Sequence, residues 1–557
     1  MAAQEKNHEQ RERIENLRAQ MEAVAQAEAA PQPETPPDPD PAFVRECLHT
    51  EERGDGMLFA ELHRGKFVAV KNWGRDGTWL EWAGHHWRED KKTNAHNAVE
   101  NVAQVYLRYG QAQKERIDAA RQELAAAEMS KKEAAGVSAE AAQSADEERK
   151  RCLSTLAALN REKKLIQNRV DRLRRMSGAT NCLNWAHRIG GQSLAILGDD
   201  IDLHPWLLAC TNGVLDLRTG QFSPGRPDDY LLRATAVPWQ GIDAPCPTWD
   251  AFIDEIHLGD QAVIAYLDRL FGYCLTGLSV EHFIGCFLGE GRNGKGTLFE
   301  TLKALMGDLG WSIKSELLME NKVGRPTAGP SPDLFDLQGK RFVIASESNK
   351  NSRISLSMVK TLTGGDTINA RRPYDTTETN FRPTWKLFLY TNHAPTNLAE
   401  DYAMRQRLIY INYPLRFVDH PDPSDPMQRL RDRDLPKKLL AELPGILARY
   451  VRGCLEWQKT GGLNPPESIR KNVLDLAKGQ DLLLAWFGDC CESDPNAIST
   501  VAELGASLEA YYNDEVGGKW PPSRKAMSQW LVKRGFERRR PGGVSTFYGI
   551  RLRPGLF

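Results

Sequence analysis

The sequence predicts an α/β protein, and three observations carry that prediction. Four apolar β-type runs, at 283–288, 341–345, 386–391 and 408–412, are spaced by segments of helical periodicity. The first run leads through "GEGRNGKGTL" (289–298) into the helical pattern "TLFETLKALMG". The chain has 557 residues, 41% hydrophobic and 26% charged, enough apolar matter for several ordinary globular domains. A net charge of −1 excludes a uniformly basic protein but leaves local basic patches open.

The elements follow in chain order. Residues 1–41 read as a charged helix followed by the Pro-rich linker "PQPETPPDPDP". An N-terminal α+β domain spans 42–245. Its opening stretch, "MLFAELHRGKFVAVKNWGRDGTWLEWAGHHWRED", alternates β-type runs with Gly-containing turns and predicts a small antiparallel sheet packed by Trp79, Trp82 and Trp87. Inserted at 96–178 are two long helical patterns rich in Ala, Glu, Lys, Arg and Gln, with a break within 134–146. They predict a helical hairpin whose alanine-heavy face packs weakly. Short strands and turns return over 179–245. A helical collar at 246–280 precedes the core at 281–420, then a helical connection at 421–466 and a C-terminal domain at 467–557.

The ten cysteines form no C-x-x-C pair and no Cys/His cluster with zinc-ligand spacing. They predict reduced thiols, Cys490-Cys491 included. No apolar run approaches the ~20 residues of a membrane span, and the charged start lacks the apolar stretch of a secretion signal. A cytoplasmic protein without a membrane partner is expected.

Residues Gly289 to Lys295 have the Gly-x-x-x-x-Gly-Lys spacing of a phosphate-binding loop, set between a strand and a helix. Backbone N–H groups at the helix start would point at phosphates, and Lys295 would neutralise them. The candidate nucleotide-binding residues are Gly289, Glu290, Gly291, Arg292, Asn293, Gly294, Lys295, Gly296 and Thr297. Where the pattern wants a hydroxyl for magnesium, the residue is Gly296; Thr297 follows it.

The downstream runs narrow the chemistry. "GKRFVIASES" ends in Glu347, an acid able to polarise a water attacking a γ-phosphate. "KLFLYTNHAPT" places Asn392 at the tip of a second strand, where an amide can orient that water. Arg405 and Arg407 precede the last run and could stabilise transition-state charge on a neighbouring subunit's nucleotide. From Lys295 it is 52 residues to Glu347, 45 more to Asn392 and 15 more to Arg407, so the set fits one compact domain.

At 285–417 the sequence resembles the superfamily 3 helicases, in particular the phage and plasmid primase-helicase group related to the poxvirus-type primase-helicase. "GEGRNGKGTL" resembles their Walker A element, "GKRFVIASES" their Walker B element and "LFLYTNHAPTN" their sensor motif. "VKTLTGGDTINARRPYDTTETNFRPTWK" (359–386) resembles the block between the last two. "TNGVLDLRTGQF" with "PDDYLLRATAVPW" is similar to the domain that precedes these ATPases. The likeness covers most of 45–420. It implies an AAA+-like P-loop ATPase core, a hexameric ring with ATP and Mg2+ between subunits, and a β-hairpin projecting into the channel with Lys360, Arg371 and Arg372 gripping DNA. Relatives of this ATPase class often place a magnesium-binding Asp where this chain has Ser346. The metal set is therefore read as Thr297, Ser346 and Glu347 around ATP oxygens and water.

Between Ser523 and Arg553 the charge is +8. "SRKAMSQWLVKRGF", "ERRR", a Pro-Gly-Gly turn and "STFYGIRL" read as the helix and hairpin that end a winged helix. Arg524, Lys525 and Lys533 would lie on its recognition helix and Arg538, Arg539 and Arg540 on its wing. The function implied is an ATP-dependent replicative DNA helicase of phage, prophage or plasmid type in a bacterial host cell. Its partners would be single-stranded and forked DNA, further copies of the chain and other replication proteins. A primase-helicase is the alternative, although 1–180 offers no Asp-x-Asp with a partner acid and no zinc ribbon. An initiator that uses ATP only as a switch is another.

Overall fold

The computed structural model describes residues 39–73, 77–134, 136, 138–191, 193–320, 332–346, 353–370, 379–395, 397, 402–480, 482–515 and 523–553. Residues 1–38, and with them nearly all of the expected charged helix and linker, lie outside the described residues. So do Glu347, Arg371 and Arg372. The chain is a mixed α/β protein that divides into two compact units, residues 1–203 with 224–232, and residues 204–223 with 233–557.

The first unit opens on helices, where the sequence predicted strands at its start. Pro41–His49 begins with a proline in its first turn and is capped by Asp40, whose carboxylate accepts from the Ala42 N–H. Glu51–His63 follows and takes in the whole of "MLFAELH". Two glycines of this helix serve close packing. A Cβ at Gly54 would stand 1.8 Å from the Cys47 carbonyl oxygen, and one at Gly56 2.5 Å from the Trp185 Cβ. The predicted sheet begins only at Phe67–Val70. It pairs antiparallel with Thr78–Trp82, which pairs with Trp87–Glu89, and Ala195–Ile196 joins Phe67–Val70 in parallel. Trp87 is buried, and Trp79 and Trp82 pack against the cores.

The helical hairpin comprises Asn94–Ala134 and Ala139–Leu173, the second capped by Ser138. At its root, residues 95–106 and 166–173 enter a core with Val44, Leu58 and Phe59. Here Asp55 is buried and accepts from Arg169 at 2.9 Å, Arg172 at 2.5 Å and the Tyr106 hydroxyl at 3.1 Å. Burial raises its pKa while the two arginines pull the other way. Beyond the root the buried positions thin to Gln113, Ile117, Ala120, Ala127 and Cys152, as alanine-heavy pairing predicts.

The second unit is built on a five-stranded parallel sheet: β1 (Ile284–Leu288), β2 (Gly310–Lys314), β3 (Phe342–Ser346), β4 (Lys386–Thr391) and β5 (Leu408–Asn412). The spatial order is β5-β1-β4-β3-β2, all neighbours parallel. The sequence reading missed β2, "GWSIK", an edge strand with three exposed positions and a single aliphatic residue. One face of the sheet carries Phe287, Phe342 and Phe388, which meet Phe271 and Phe299 from two helices; Phe342 and Phe388 lie 5.0 Å apart. The other face holds Cys286, Val343, Leu387 and Leu389 against Val359 and Leu362.

Pro247–Ile256 and Gln261–Cys274 are helices within the segment read as a collar. The segment 421–466 is more than the helical connection expected. Arg416–Val418 and Gln428–Leu430 pair in parallel, and the helix Leu443–Thr460 lies in the main core. It crosses Gln261–Cys274 so closely that a Cβ at Gly272 would stand 2.2 Å from Cys454 N, and one at Gly453 2.0 Å from Asp268 O. Arg449 joins the crossing to Asp268 at 2.7 Å and to Asp250 at 2.5 Å.

The helix Glu467–Gln480 places Ile469 and Val473 in the two sheet-side cores, so it packs with the parallel sheet although it falls within the segment read as the terminal domain. From Leu482 a separate core forms around Trp486, Leu504, Leu508, Met527, Leu531, Phe547 and Ile550. Its helices are Leu482–Cys490, Val501–Glu515 and Arg524–Lys533, beside an antiparallel sheet in the order Cys491–Thr500, Thr546–Leu552, Glu537–Arg539. Cys491–Thr500 was not foreseen, because "CESDPNAIST" breaks strand patterning; its register shifts between Ser493 and Ile498. All ten cysteines are buried and none is paired in a disulfide. Among the described residues no helix is long and apolar enough to cross a membrane.

Candidate nucleotide site

The loop Gly289–Gly294 leaves the end of β1 and enters the helix Lys295–Met306. Its glycines meet two steric demands. Gly289, at φ +152°, would place a Cβ 2.3 Å from Asn293 Nδ2 and 2.4 Å from the Tyr413 carbonyl oxygen. Gly294, at φ +87°, would place one 2.9 Å from Ile256 Cγ2. Between them Arg292 adopts φ +64°, a left-handed conformation costly for a residue with a Cβ. Its carbonyl is held by the Phe417 N–H at 2.6 Å.

Lys295 is buried at the first turn of that helix. Its Nζ donates to the Gly289 carbonyl at 2.5 Å and to Asn293 Oδ1 at 2.9 Å. Burial lowers its pKa to about 8, since a charged ammonium loses solvation there. Asn293 is buried too, and its Nδ2 donates to the Tyr413 carbonyl at 3.3 Å. A Cβ on Gly296 would meet nothing within 4 Å, so that position faces open space. Thr297 is half-buried one residue further on.

The sheet register brings the other strand tips to this loop. Thr391 pairs with Leu288, so Asn392 stands level with Gly289 on the adjacent strand and is exposed. Ser346 pairs with Tyr390 and ends β3, also exposed. Lys295, Thr297, Ser346 and Asn392 therefore share one edge of the sheet. Glu347, next after Ser346, lies outside the described residues. Arg405 and Arg407 are not in this group. They sit on the short helix Tyr402–Arg407 that enters β5, and Leu408 pairs with Ile284. That is the opposite edge, about 16 Å away along five residues of strand. Arg407 donates to the Ala403 carbonyl at 3.2 Å and is half-buried.

Two features were invisible in the sequence. One is the link from Asn293 to Tyr413, 120 residues apart. The other is a cavity of about 190 Å³ beside Tyr413, walled by Ile256, His257, Val263, Asn412, Ile469 and Asn472. His257 is held neutral by burial, its pKa pushed down to about 4, and its Nε2 meets the Tyr413 hydroxyl at 3.4 Å. No local motif signals either one.

Of the DNA-binding candidates, Lys360 lies on the helix Leu356–Thr363, just before the hairpin Ile368–Ala370 with Thr379–Phe381. The tip of that hairpin, with Arg371 and Arg372, is outside the described residues. Arg524 and Lys525 are exposed at the start of Arg524–Lys533, where Ser523 caps the helix by accepting from the Ala526 N–H. Arg524 faces Glu509 at 3.5 Å. Lys533 ends the same helix. Arg538 and Arg540 each donate to Ser545 Oγ at 3.1 Å. Arg539 is paired with Glu537 at 2.7 Å, which reduces the free charge of this strand. Among the described residues no group of three or more His, Cys, Asp or Glu could hold a metal ion.

Residues 56–258 match the family model described as "D5 N terminal like", and residues 287–407 match one described as "Family of unknown function (DUF5906)". The second spans the loop, the hairpin and the strand tips. Among curated proteins, "Putative helicase L207/L206" of Acanthamoeba polyphaga mimivirus is 28% identical over 58% of this chain and 35% of its own length. "Putative helicase 022R" of Frog virus 3 is 23% identical over 54% of this chain and 38% of its own. "Putative primase C962R" of African swine fever virus is 22% identical over 57% of this chain and 34% of its own. The alignments thus span little more than a third of these relatives. The resemblance to phage and viral primase-helicases, first seen in the motifs, is borne out by the D5 N-terminal match and by these relatives.

Proposed function

We propose that the chain is an ATP-dependent DNA helicase of phage, prophage or plasmid replication, with an AAA+-like core acting in a ring of identical copies, six by the resemblance. One observation carries the reading: the loop lysine and two strand tips converge on one edge of the parallel sheet, while two arginines stand on the opposite edge. ATP would lay its phosphates on the N-terminus of Lys295–Met306, with the Lys295 ammonium on the β- and γ-oxygens. Its base would enter the cavity beside His257 and Asn412, which both apolar and polar side chains line. Magnesium would be held by ATP oxygens and water near Thr297, Ser346 and Glu347, and would supply charge neutralisation at the phosphates. Glu347 would polarise the attacking water and Asn392 would orient it. Arg405 and Arg407 are too far from their own loop, a distance that favours service to a neighbouring copy's nucleotide.

The hairpin 368–381 would carry Arg371 and Arg372 to single-stranded DNA, with Lys360 at its base. The C-terminal domain, read as a winged helix, would bind fork or origin duplex through Arg524, Lys525 and Lys533, with Arg538, Arg539 and Arg540 on its wing. The protein would work in the cytoplasm of a bacterial host, alongside other replication proteins. Steady-state ATP hydrolysis tests this. Turnover should rise with single-stranded DNA and disappear in Lys295→Ala; wild-type turnover in that variant would end the assignment. A primase-helicase is the second reading, favoured by the African swine fever virus relative's printed name. Template-directed primer synthesis by the full chain would establish it. An ATP-switched initiator would show nucleotide-dependent DNA binding with no unwinding.

A further inference from the structure

We infer that Asn293 is a positioning residue of the nucleotide site: its amide holds the Lys295 ammonium in place and fastens the loop to the end of β5. The inference rests on the nucleotide reading of this loop and adds a role that loop spacing does not assign.

Asn293 is 2% exposed, and its side chain is used at both ends. Oδ1 accepts from Lys295 Nζ at 2.9 Å and, at longer range, from the Lys295 N–H at 3.5 Å. Nδ2 donates to the Tyr413 carbonyl at 3.3 Å. That carbonyl stands on the frame of the sheet. The Tyr413 N–H donates to Leu288 O at 2.7 Å, its ring stacks on Phe287, and its hydroxyl meets His257.

An ammonium has three donors. Gly289 and Asn293 accept two of them, which leaves one for an anion above the loop. A lysine side chain otherwise has many rotamers that binding would have to freeze out, so a fixed neutral acceptor prepares the lysine before the nucleotide arrives. The acceptor must also be uncharged, because a carboxylate there would compete with the triphosphate for the same ammonium. An amide supplies an acceptor for Lys295 and a donor for Tyr413 on two separate atoms, without carrying charge.

The test uses the full chain with ATP. Asn293→Ala should raise KM about tenfold, the loss of one hydrogen bond to a charged group, while kcat changes less than threefold. Asn293→Asp, nearly identical in shape, should raise KM at least as much. A residue that only fills space would give the reverse order, with Asp tolerated better than Ala. Melting temperatures check the fold, and should Ala unfold, Asn293→Ser and the anisotropy of a fluorescent ATP supply the comparison. Equal or tighter ATP binding in Asn293→Ala would overturn the inference, as would loss of kcat at constant KM. If Lys295→Ala binds ATP normally, the nucleotide reading itself falls. If Lys295→Ala loses ATP while the Asn293 variants behave as wild type, only the role of Asn293 falls.

Discussion

The two edges of the parallel sheet each bury a lysine, and they use it in opposite ways. At the loop edge, Lys295 has two protein acceptors, the Gly289 carbonyl and Asn293 Oδ1, both in the loop itself. At the other edge, Lys386 opens β4 and is fully enclosed. Its Nζ reaches the Thr276 carbonyl at 2.5 Å, the Thr276 hydroxyl at 3.4 Å and the Thr384 carbonyl at 3.3 Å, and lies 4.5 Å from the centre of the Tyr273 ring. Beside it Arg341 donates to the carbonyls of Leu275, at 2.5 Å, and Leu207, at 2.8 Å. These two cations cap the end of the helix Gln261–Cys274 and fix it under the sheet. A buried cation with every donor engaged by the frame is structural; one with a donor to spare above a glycine loop is a candidate for a ligand.

The sharpest way to break this comparison is to exchange the outcomes. Lys295→Ala should reduce ATP turnover at least 100-fold, with the melting temperature moving only a few degrees. Lys386→Ala should do the opposite. It leaves buried carbonyls without donors and opens a cavity, a loss on the order of 3 kcal/mol in urea unfolding. Lys386→Met fills most of that volume and should cost less. A large stability loss in Lys295→Ala, or none in Lys386→Ala, would erase the distinction between the edges.

A second consequence is pH-dependent. Burial pushes the Lys386 pKa down to about 7, and those of Lys295 and Lys340 to about 8. Each is lower folded than unfolded, so between about pH 7 and 10 the unfolded chain binds more protons. Stability should therefore rise with pH across that window, the reverse of what a lysine gaining a carboxylate partner gives. Lys386→Met should flatten the rise in urea midpoints between pH 7 and 9. An unchanged slope would show that Lys386 stays charged, held by its three acceptors.

How much of this was legible follows from the range of the interactions. The loop was readable because its glycines and lysine act over seven consecutive residues, and β1, β3, β4 and β5 because both their faces are apolar. β2 was not, being half-exposed with one aliphatic residue. Met57–His63 was misread because its short apolar run, followed by Gly-containing turns, looks like a strand, whereas it continues a helix that starts at Glu51. The Asn293–Tyr413 link depends on strand order, which places β5 beside β1 and is not written in local sequence. The same order puts Arg405 and Arg407 on the far edge, which spacing alone could not separate from the loop edge.

The smallest expected effect concerns Gly296, where the loop departs from the pattern that supplies a magnesium-binding hydroxyl. Nothing stands within 4 Å of a Cβ there, and its backbone is not in the left-handed region. Near the start of a helix, replacing glycine reduces the entropy of the unfolded chain, so Gly296→Ala should stabilise by about 0.5–1 kcal/mol. Gly296→Ser should fold equally well and restores the missing hydroxyl. If magnesium is held by ATP oxygens and water with Thr297 nearby, the serine should change kcat less than threefold and leave the magnesium dependence of turnover nearly fixed. A marked fall in the magnesium concentration needed for half-maximal rate would instead mean that the loop edge lacks a ligand it can use. The hydroxyl of Thr297 would then be a bystander, and Thr297→Ala should leave the rate untouched.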